Sequence, residues 1–252
     1  MTEKLYHNKF APLYDYFQHG VKGDVNFYLN YFKNFIGKIL EIGAGTGRIT
    51  IPLLKQGLNV TALDIAPKML EILKEKAQKE NLTVRTVCAD MRRFELRKRF
   101  DAIIITFRAF QDMYLVDDQL RALKTIKKHL KPNGILIFDV YTPSFEYIQK
   151  GNWQWHKDQD INLPSLKGKV RIDYRNCYDM ARQMMNQEYR FSYPGGRKEI
   201  IPLRMRFFFR FETEHLLRLT GLKVKNLYGD FSKSKFKSGS PEMIWVVSPK
   251  RK

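Results

Sequence analysis

The sequence predicts an α/β fold: a doubly wound, mostly parallel seven-stranded sheet with an antiparallel β insertion. Three observations predict it. Short apolar runs alternate with amphipathic stretches from Lys38 onward, and the first run passes straight into a glycine-rich turn. The alternation then lapses over residues 143–211, where β-prone stretches follow one another with no helix between them.

In chain order, residues 1–35 are rich in aromatics at helical spacing (Tyr6, Phe10, Tyr14, Tyr16, Phe17, Phe27, Tyr28, Tyr31, Phe32) and read as a helical lid packed on something larger. Residues 36–142 read as the α/β core. Its apolar runs are Lys38–Ile42, Leu58–Leu63, Thr83–Cys88, Ala102–Ile105 and Ile135–Val140, with amphipathic stretches at Arg48–Gln56, Pro67–Glu80 and Asp117–Leu130. Runs apolar on both faces, separated by helices, describe parallel strands covered on both sides. Pro67 suits a first helical turn, while Asn81 and the turn Lys131-Pro-Asn-Gly134 stand where helices must stop.

Residues 143–211 hold β-prone stretches near Lys169–Tyr174, Met184–Tyr193 and Glu199–Arg210, the last two joined by Pro194-Gly195-Gly196. They read as an antiparallel segment on the acceptor side of a site. In residues 212–252, Thr213–Thr220 reads as a capped helix ended by Gly221, and Val224–Gly229 and Met243–Ser248 as two closing strands. The Lys-Ser stretch Ser232–Ser240 reads as a polar, mobile loop.

A hydrophobic fraction of 44% is enough to build a core and argues against disorder. No stretch reaches the roughly 18 apolar residues of a membrane span, and no apolar leader follows Met1, so a soluble, cytoplasmic protein is expected. Cys88 and Cys177 form no CxxC pair and have no clustered histidines, which excludes a zinc site or disulfide framework as the first reading. The 45 Lys and Arg against 26 Asp and Glu give +19, which keeps an anionic partner such as nucleic acid open beside a plain solvated surface.

The sharpest signal is Ile39-Leu-Glu41-Ile-Gly43-Ala44-Gly45-Thr-Gly47-Arg48, a buried strand entering a glycine turn and then a helix. A chain turning this tightly at a strand's carboxyl end needs glycine for positive φ and for close approach of a ligand. A dinucleotide site wants G-x-G-x-x-G, whereas the third residue after Gly45 is Arg48. The acid Glu41 followed by G-x-G-x-G resembles motif I of the class I S-adenosylmethionine-dependent methyltransferases, which have a Rossmann-like fold, and the region 35–142 is similar to that family in order and spacing.

That resemblance implies S-adenosylmethionine as cofactor and S-adenosylhomocysteine as product. It implies that Asp64, ending the second strand, accepts from both ribose hydroxyls, and that Ile65 and Met69 flank the adenine. Asp90 would take the adenine amino group and the Met91 backbone N–H a ring nitrogen. Thr106, Phe107 and Phe110, after the fourth strand, would stand beside the methionine part. Tyr14 would act as a lid residue. Arg108 could pair an acceptor carboxylate or phosphate, or be an ordinary surface arginine. Both Tyr14 and Arg108 are candidates at the reacting centre, and neither is assigned a catalytic role.

Displacement at a sulfonium asks the protein to align and exclude water, so no catalytic triad is expected. The Asn/Asp-Pro-Pro-Tyr/Phe motif of amino-methylating nucleic-acid enzymes is absent after the fourth strand, and neither cysteine follows a proline. The segments Phe10-Ala-Pro-Leu-Tyr14-Asp15-Tyr16, Phe107-Arg-Ala-Phe-Gln111 and Leu227-Tyr-Gly-Asp230 resemble the sugar-amine and glycine-type N-methyltransferase branch. A small-molecule acceptor, methylated at nitrogen or oxygen, is the expectation. An RNA or protein methyltransferase and a non-catalytic binder of the same cofactor are the alternatives. In the insertion Tyr189, Arg190, Arg204, Arg206 and Arg210 are candidates to face the cleft, although alternating basic residues on a strand also mark a solvent face.

Overall fold

The computed structural model describes residues 8–250; Tyr6 and the first residues of the expected lid lie outside the described part. Helices α1 (Tyr14–Phe17) and α2 (Asp24–Tyr31) come first. Strands β1 (Lys38–Ile42), β2 (Asn59–Asp64), β3 (Arg85–Cys88), β4 (Phe100–Ile105) and β5 (Leu130–Tyr141) alternate with helices α3 (Thr50–Lys55), α4 (Pro67–Lys79) and α5 (Val116–His129). Next come α6 (Phe145–Lys150), strands β6 (His156–Asn162), β7 (Lys169–Asp179), β8 (Met184–Ser192) and β9 (Lys198–Arg206), helix α7 (Arg210–Leu219), and strands β10 (Leu222–Tyr228) and β11 (Glu242–Pro249).

The main sheet has seven strands in the order β10-β11-β5-β4-β1-β2-β3, and β6 to β9 form a second, four-stranded sheet. β1 through β5 pair in parallel, and β11 runs antiparallel between β5 and β10. Chain order reverses where β1 meets β4, so the crevice beyond these strand ends is the natural ligand position of such a sheet. No helix among the described residues is long and apolar enough to cross a membrane.

The two-residue period of the strands distributes the core. Leu40, Ile42, Ile103, Ile105, Leu136, Phe138 and Trp245 bury on one face of the sheet. Ile39, Val60, Ala102, Ile104, Ile137 and Val246 bury on the other, against Phe27, Tyr28 and Phe32 from α2 and its end. Each buried Val, Leu, Ile or Phe among them contributes about 1.5 to 3 kcal/mol relative to exposure, which is why strands apolar at every position settle at the centre of the sheet. A third cluster joins Phe10 and Phe17 to Val170, Ile172, Phe191 and Ile201 of the second sheet and to Met69 of α4. The N-terminal segment is thereby wedged between the second sheet and α4.

Several boundaries differ from the sequence reading. The antiparallel unit has four strands, because β6 (His156–Asn162) is a polar edge strand in which only Ile161 is buried, leaving no alternation to read. Lys131 to Gly134 are taken into β5, where the register slips opposite Phe100 and Ala102. The stretch expected to run from Glu199 to Arg210 stops at Arg206, and α7 begins at Arg210, ahead of Thr213. Glu212 sets that start by accepting the Phe209 backbone N–H at 3.3 Å.

Candidate active site

Above the β1–β4 crossover lies a cavity of about 990 Å³. Its floor is the glycine corner. Gly43 and Ala44 donate backbone N–H bonds to the Leu63 carbonyl at 2.9 and 3.1 Å, tying the turn to β2. Gly45 (φ +53°) faces open space, with no atom within 4 Å of where a Cβ would stand. At Gly47 (φ +89°) a Cβ would fall 2.2 Å from Leu73 Cδ1, so this glycine lets α4 pack close under the turn.

Acids at the ends of β2 and just beyond β3 border the same cavity. Asp64 Oδ2 accepts the Gly45 N–H and Oδ1 the Ala66 N–H, both at 2.8 Å. Asp90 accepts the Arg92 backbone N–H at 2.8 Å and pairs with its guanidinium at 2.6 Å. Burial opposes ionisation of Asp90, but the hydrogen bonds and charge of Arg92 prevail and hold its carboxyl below the usual range. Ile65, Met69 and Met91 complete this side.

At the β4 end Thr106, Phe107 and Arg108 line the cavity. Phe107 (φ +50°) and Arg108 (φ +65°) are consecutive left-handed residues, a backbone cost of about 1 to 2 kcal/mol each. The surroundings hold them there. The Arg108 N–H donates to Asp139 Oδ2 at 3.0 Å, and its guanidinium pairs with Glu242 at the start of β11 and lies 5.5 Å from the Tyr141 ring. Asp139, fully buried beside Glu242, is pushed up to about 7 by desolvation first and by the Glu242 charge second. Burial likewise raises Glu242, against the pull of Arg108.

Tyr14 reaches the cavity from α1, and burial raises its phenol well above the ordinary tyrosine range. The neighbouring Asp15 accepts the Thr46 hydroxyl at 2.6 Å, fastening this helix to the glycine turn. The facing wall is the second sheet. Across β7, β8 and β9, Tyr178 stands opposite Met185 and Met185 opposite Met205; one row on, Asn176 stands opposite Gln187 and Gln187 opposite Leu203. Tyr174 and Tyr189 form the next row, and all eight residues line the cavity.

Among the residues singled out in the sequence, Tyr14, Gly43, Gly45, Asp64, Ile65, Met69, Asp90, Met91, Thr106, Phe107, Arg108 and Tyr189 share this lining. Glu41, Ala44, Gly47, Arg48 and Phe110 stand behind it. Glu41 is buried, accepts from the Thr50 and Thr106 hydroxyls at 2.5 and 3.0 Å, and is raised to about 7 by desolvation. Arg48 is turned away into a 2.7 Å ion pair with Asp24. Phe110 packs on Phe138 and Phe208, and Ala44 beneath α4. Arg190, Arg204 and Arg206 have the opposite strand parity to Tyr189, Leu203 and Met205 and lie outside the lining, as does Arg210 in α7.

The sequence reading missed Gln18, Asp112, Tyr141, the amide pair Asn176 and Gln187, and the loop Phe236 to Ser240, all on the wall. That loop was read as polar and mobile. Its Phe236 packs against the main core and the Lys237 N–H donates to Ser240 Oγ at 3.0 Å, and the segment forms one side of the cavity.

The family described as a methyltransferase domain matches residues 39–134. A glycine/sarcosine N-methyltransferase of Halorhodospira halochloris is 30% identical over 225 residues, covering 84% of this chain and 75% of the relative. Among solved structures, the CcbJ methyltransferase from Streptomyces caelestis superposes with a TM-score of 0.84 at 20% identity, covering 100% of both chains. CalS10, an amino pentose methyltransferase from Micromonospora echinaspora solved with S-adenosylmethionine bound, gives a TM-score of 0.65 at 19% identity, covering 96% of this chain and 91% of that one. At these identities the two structures speak for the fold. The chain belongs to the class I S-adenosylmethionine-dependent methyltransferases. It is an enzyme whose methyl donor is S-adenosylmethionine and whose donor product is S-adenosylhomocysteine.

Proposed function

We propose that this enzyme methylates nitrogen or oxygen of a small-molecule acceptor inside the cavity between the glycine corner and the inserted sheet. One observation carries the reading. A single cavity has the glycine turn and two strand-end acids on one side and a wall of the second sheet on the other. Its volume of about 990 Å³ is at the upper end of small-molecule sites, which suits two ligands side by side.

In this reading Asp64, anchored by the Gly45 and Ala66 N–H groups, accepts from the ribose hydroxyls, since a carboxylate can serve more than one donor at once. Asp90 and the Met91 N–H hold the adenine, flanked by Ile65 and Met69. The open side of Gly45 admits the cofactor's backbone-like portion, with Gly43, Thr106 and Phe107 alongside and Tyr14 above. Glu41, Ala44, Gly47, Arg48 and Phe110 fix the wall from behind.

The cofactor, when bound, supplies a methyl already activated on a sulfonium. The chain's share is then alignment and exclusion of water, which are worth several orders of magnitude without any proton-transferring residue. Two elements that flank the cavity support that role: α1 is fastened to the turn through Asp15 and Thr46, and the Phe236 loop forms another side. The same reading divides the chain into a lid (1–35), a cofactor core (36–142), an acceptor-side insertion (143–211) and closing elements (212–252), and sets the enzyme in the cytoplasm, in keeping with its two free cysteines. Incubation with S-adenosylmethionine and a panel of small amines and phenols, with S-adenosylhomocysteine release as the readout, tests it. Turnover of panel members supports the proposal; cofactor binding with transfer only to RNA or protein contradicts it.

A further inference from the structure

We infer that the acceptor carries no negative charge and presents a flat apolar body to the inserted sheet. This rests on the reading of the cavity as the site of methyl transfer, and it narrows the acceptor to a class.

The wall does not share the positive charge of the chain. The protein as a whole carries +19. Among the described residues the charged side chains of the lining are Asp64, Asp90, Asp112 and Glu242 against Arg108 and Lys237, and of these Asp64 and Asp90 belong to the cofactor half. Arg108 is already paired with Glu242, and Lys237 is exposed on the closing loop. The arginines of the insertion are on the opposite face, where Arg171 and Arg190 pair with the buried Asp173 and Arg175 with Glu188. An anion entering the chamber gives up its hydration and meets no unpaired cation on the sheet, which is the costly case for a buried charge.

The sheet face supplies something else. Tyr178, Met185 and Met205 form one row across three strands, and Tyr174 and Tyr189 another. Aromatic faces and thioethers present broad, polarizable, apolar surface suited to a planar partner. Between these rows the Asn176 and Gln187 amides stand opposite each other, offering neutral donors and acceptors for a polar edge. An amino acid brings a carboxylate that this wall does not pair, and so does a phosphorylated substrate bring its phosphate.

Four probes with one 4-hydroxyphenyl body separate the possibilities: tyrosol is neutral, tyramine cationic, 4-hydroxyphenylacetate anionic and tyrosine zwitterionic. Each is titrated calorimetrically into the full-length enzyme saturated with S-adenosylhomocysteine. Tyrosol and tyramine are expected to bind at least about tenfold more tightly than 4-hydroxyphenylacetate and tyrosine. Equal or tighter binding of the anion, binding of none of the four, or methylation of glycine in preference to tyramine overturns the inference. The preceding titration with S-adenosylhomocysteine alone keeps the two readings apart, since its failure sinks the cavity assignment rather than the acceptor class. A Gln187→Arg variant, checked for wild-type circular dichroism, is expected to shift the preference toward 4-hydroxyphenylacetate by about tenfold. A correctly folded variant with unchanged preference counts against the sheet as the selecting wall.

Discussion

Asp64 and Gly45 are joined by a 2.8 Å hydrogen bond from the glycine N–H to the carboxylate, while the second carboxylate oxygen accepts from Ala66. The acid at the tip of β2 therefore shapes the glycine corner of β1 as well as bordering the cavity. Replacing Asp64 with Asn removes the charge and turns one acceptor into a donor. Calorimetry with S-adenosylhomocysteine is expected to read a loss of about 1.5 to 3 kcal/mol for each charge-assisted bond lost. Unchanged affinity would remove Asp64 from the cofactor site.

Two of the three glycines of the turn separate binding from folding. Gly45→Ala meets no neighbour within 4 Å, so its cost is the left-handed backbone, about 1 to 2 kcal/mol, and its methyl projects into open space. Gly47→Ala drives a Cβ to 2.2 Å from Leu73 Cδ1. Thermal denaturation is expected to fall further for Gly47→Ala, and cofactor affinity to fall further per degree of lost stability for Gly45→Ala. Identical behaviour in both assays contradicts this division.

Glu41 carries a pH signature. Its carboxyl is raised to about 7 by desolvation, with the Thr50 and Thr106 hydroxyls pulling the other way. In the unfolded chain a glutamate titrates near ~4.3. Between those values the folded state keeps a proton the unfolded state has lost, so stability falls as pH rises from about 4 to about 7 and levels off above. Asp139 acts in the same direction. Glu41→Gln is expected to gain on the wild type by about 1 to 3 kcal/mol across that window, measured by urea denaturation at a series of pH values. Parallel profiles would mean that Glu41 is ionised throughout.

Arg108 and Glu242 form the ion pair that holds the left-handed end of β4. Glu242 is 2% exposed and Arg108 28% in its side chain, so removal of the arginine leaves a buried carboxylate without that partner. Arg108→Met is expected to destabilise by about 2 to 4 kcal/mol, less than for a fully buried pair. Adding Glu242→Gln to it is expected to recover part of that loss, and equal stability of the single and double variants in denaturant contradicts the assignment.

The parallel core was legible because β1, β4 and β5 are buried on both faces, which no other common element imitates over so short a run. The edge strand β6 carries no such pattern, since its residues meet solvent and its pairing to β7 lives in the backbone. The corner itself was visible in Gly43, Gly45 and Asp64, whereas the position of Glu41 behind the wall depends on which face of β1 the pleat turns toward α3. Arg108 was visible as a candidate, but its partner is 134 residues away and no spacing rule reaches that far. The chamber wall was hidden for the same reason. Asn176, Gln187 and Leu203 align only once the hairpin registers are set, and a residue-level scan draws the eye to the arginines on the opposite face.

A crystal structure of the enzyme grown with S-adenosylhomocysteine decides whether the glycine corner of β1 holds the cofactor. The ribose hydroxyls are expected on the Asp64 carboxylate, the adenine beside Asp90 and Met91, and the sulfur turned toward Tyr178, Met185 and Gln187 of the inserted sheet. Density for the nucleoside anywhere else on the protein, or a corner filled by Tyr14 and closed to it, would contradict that placement.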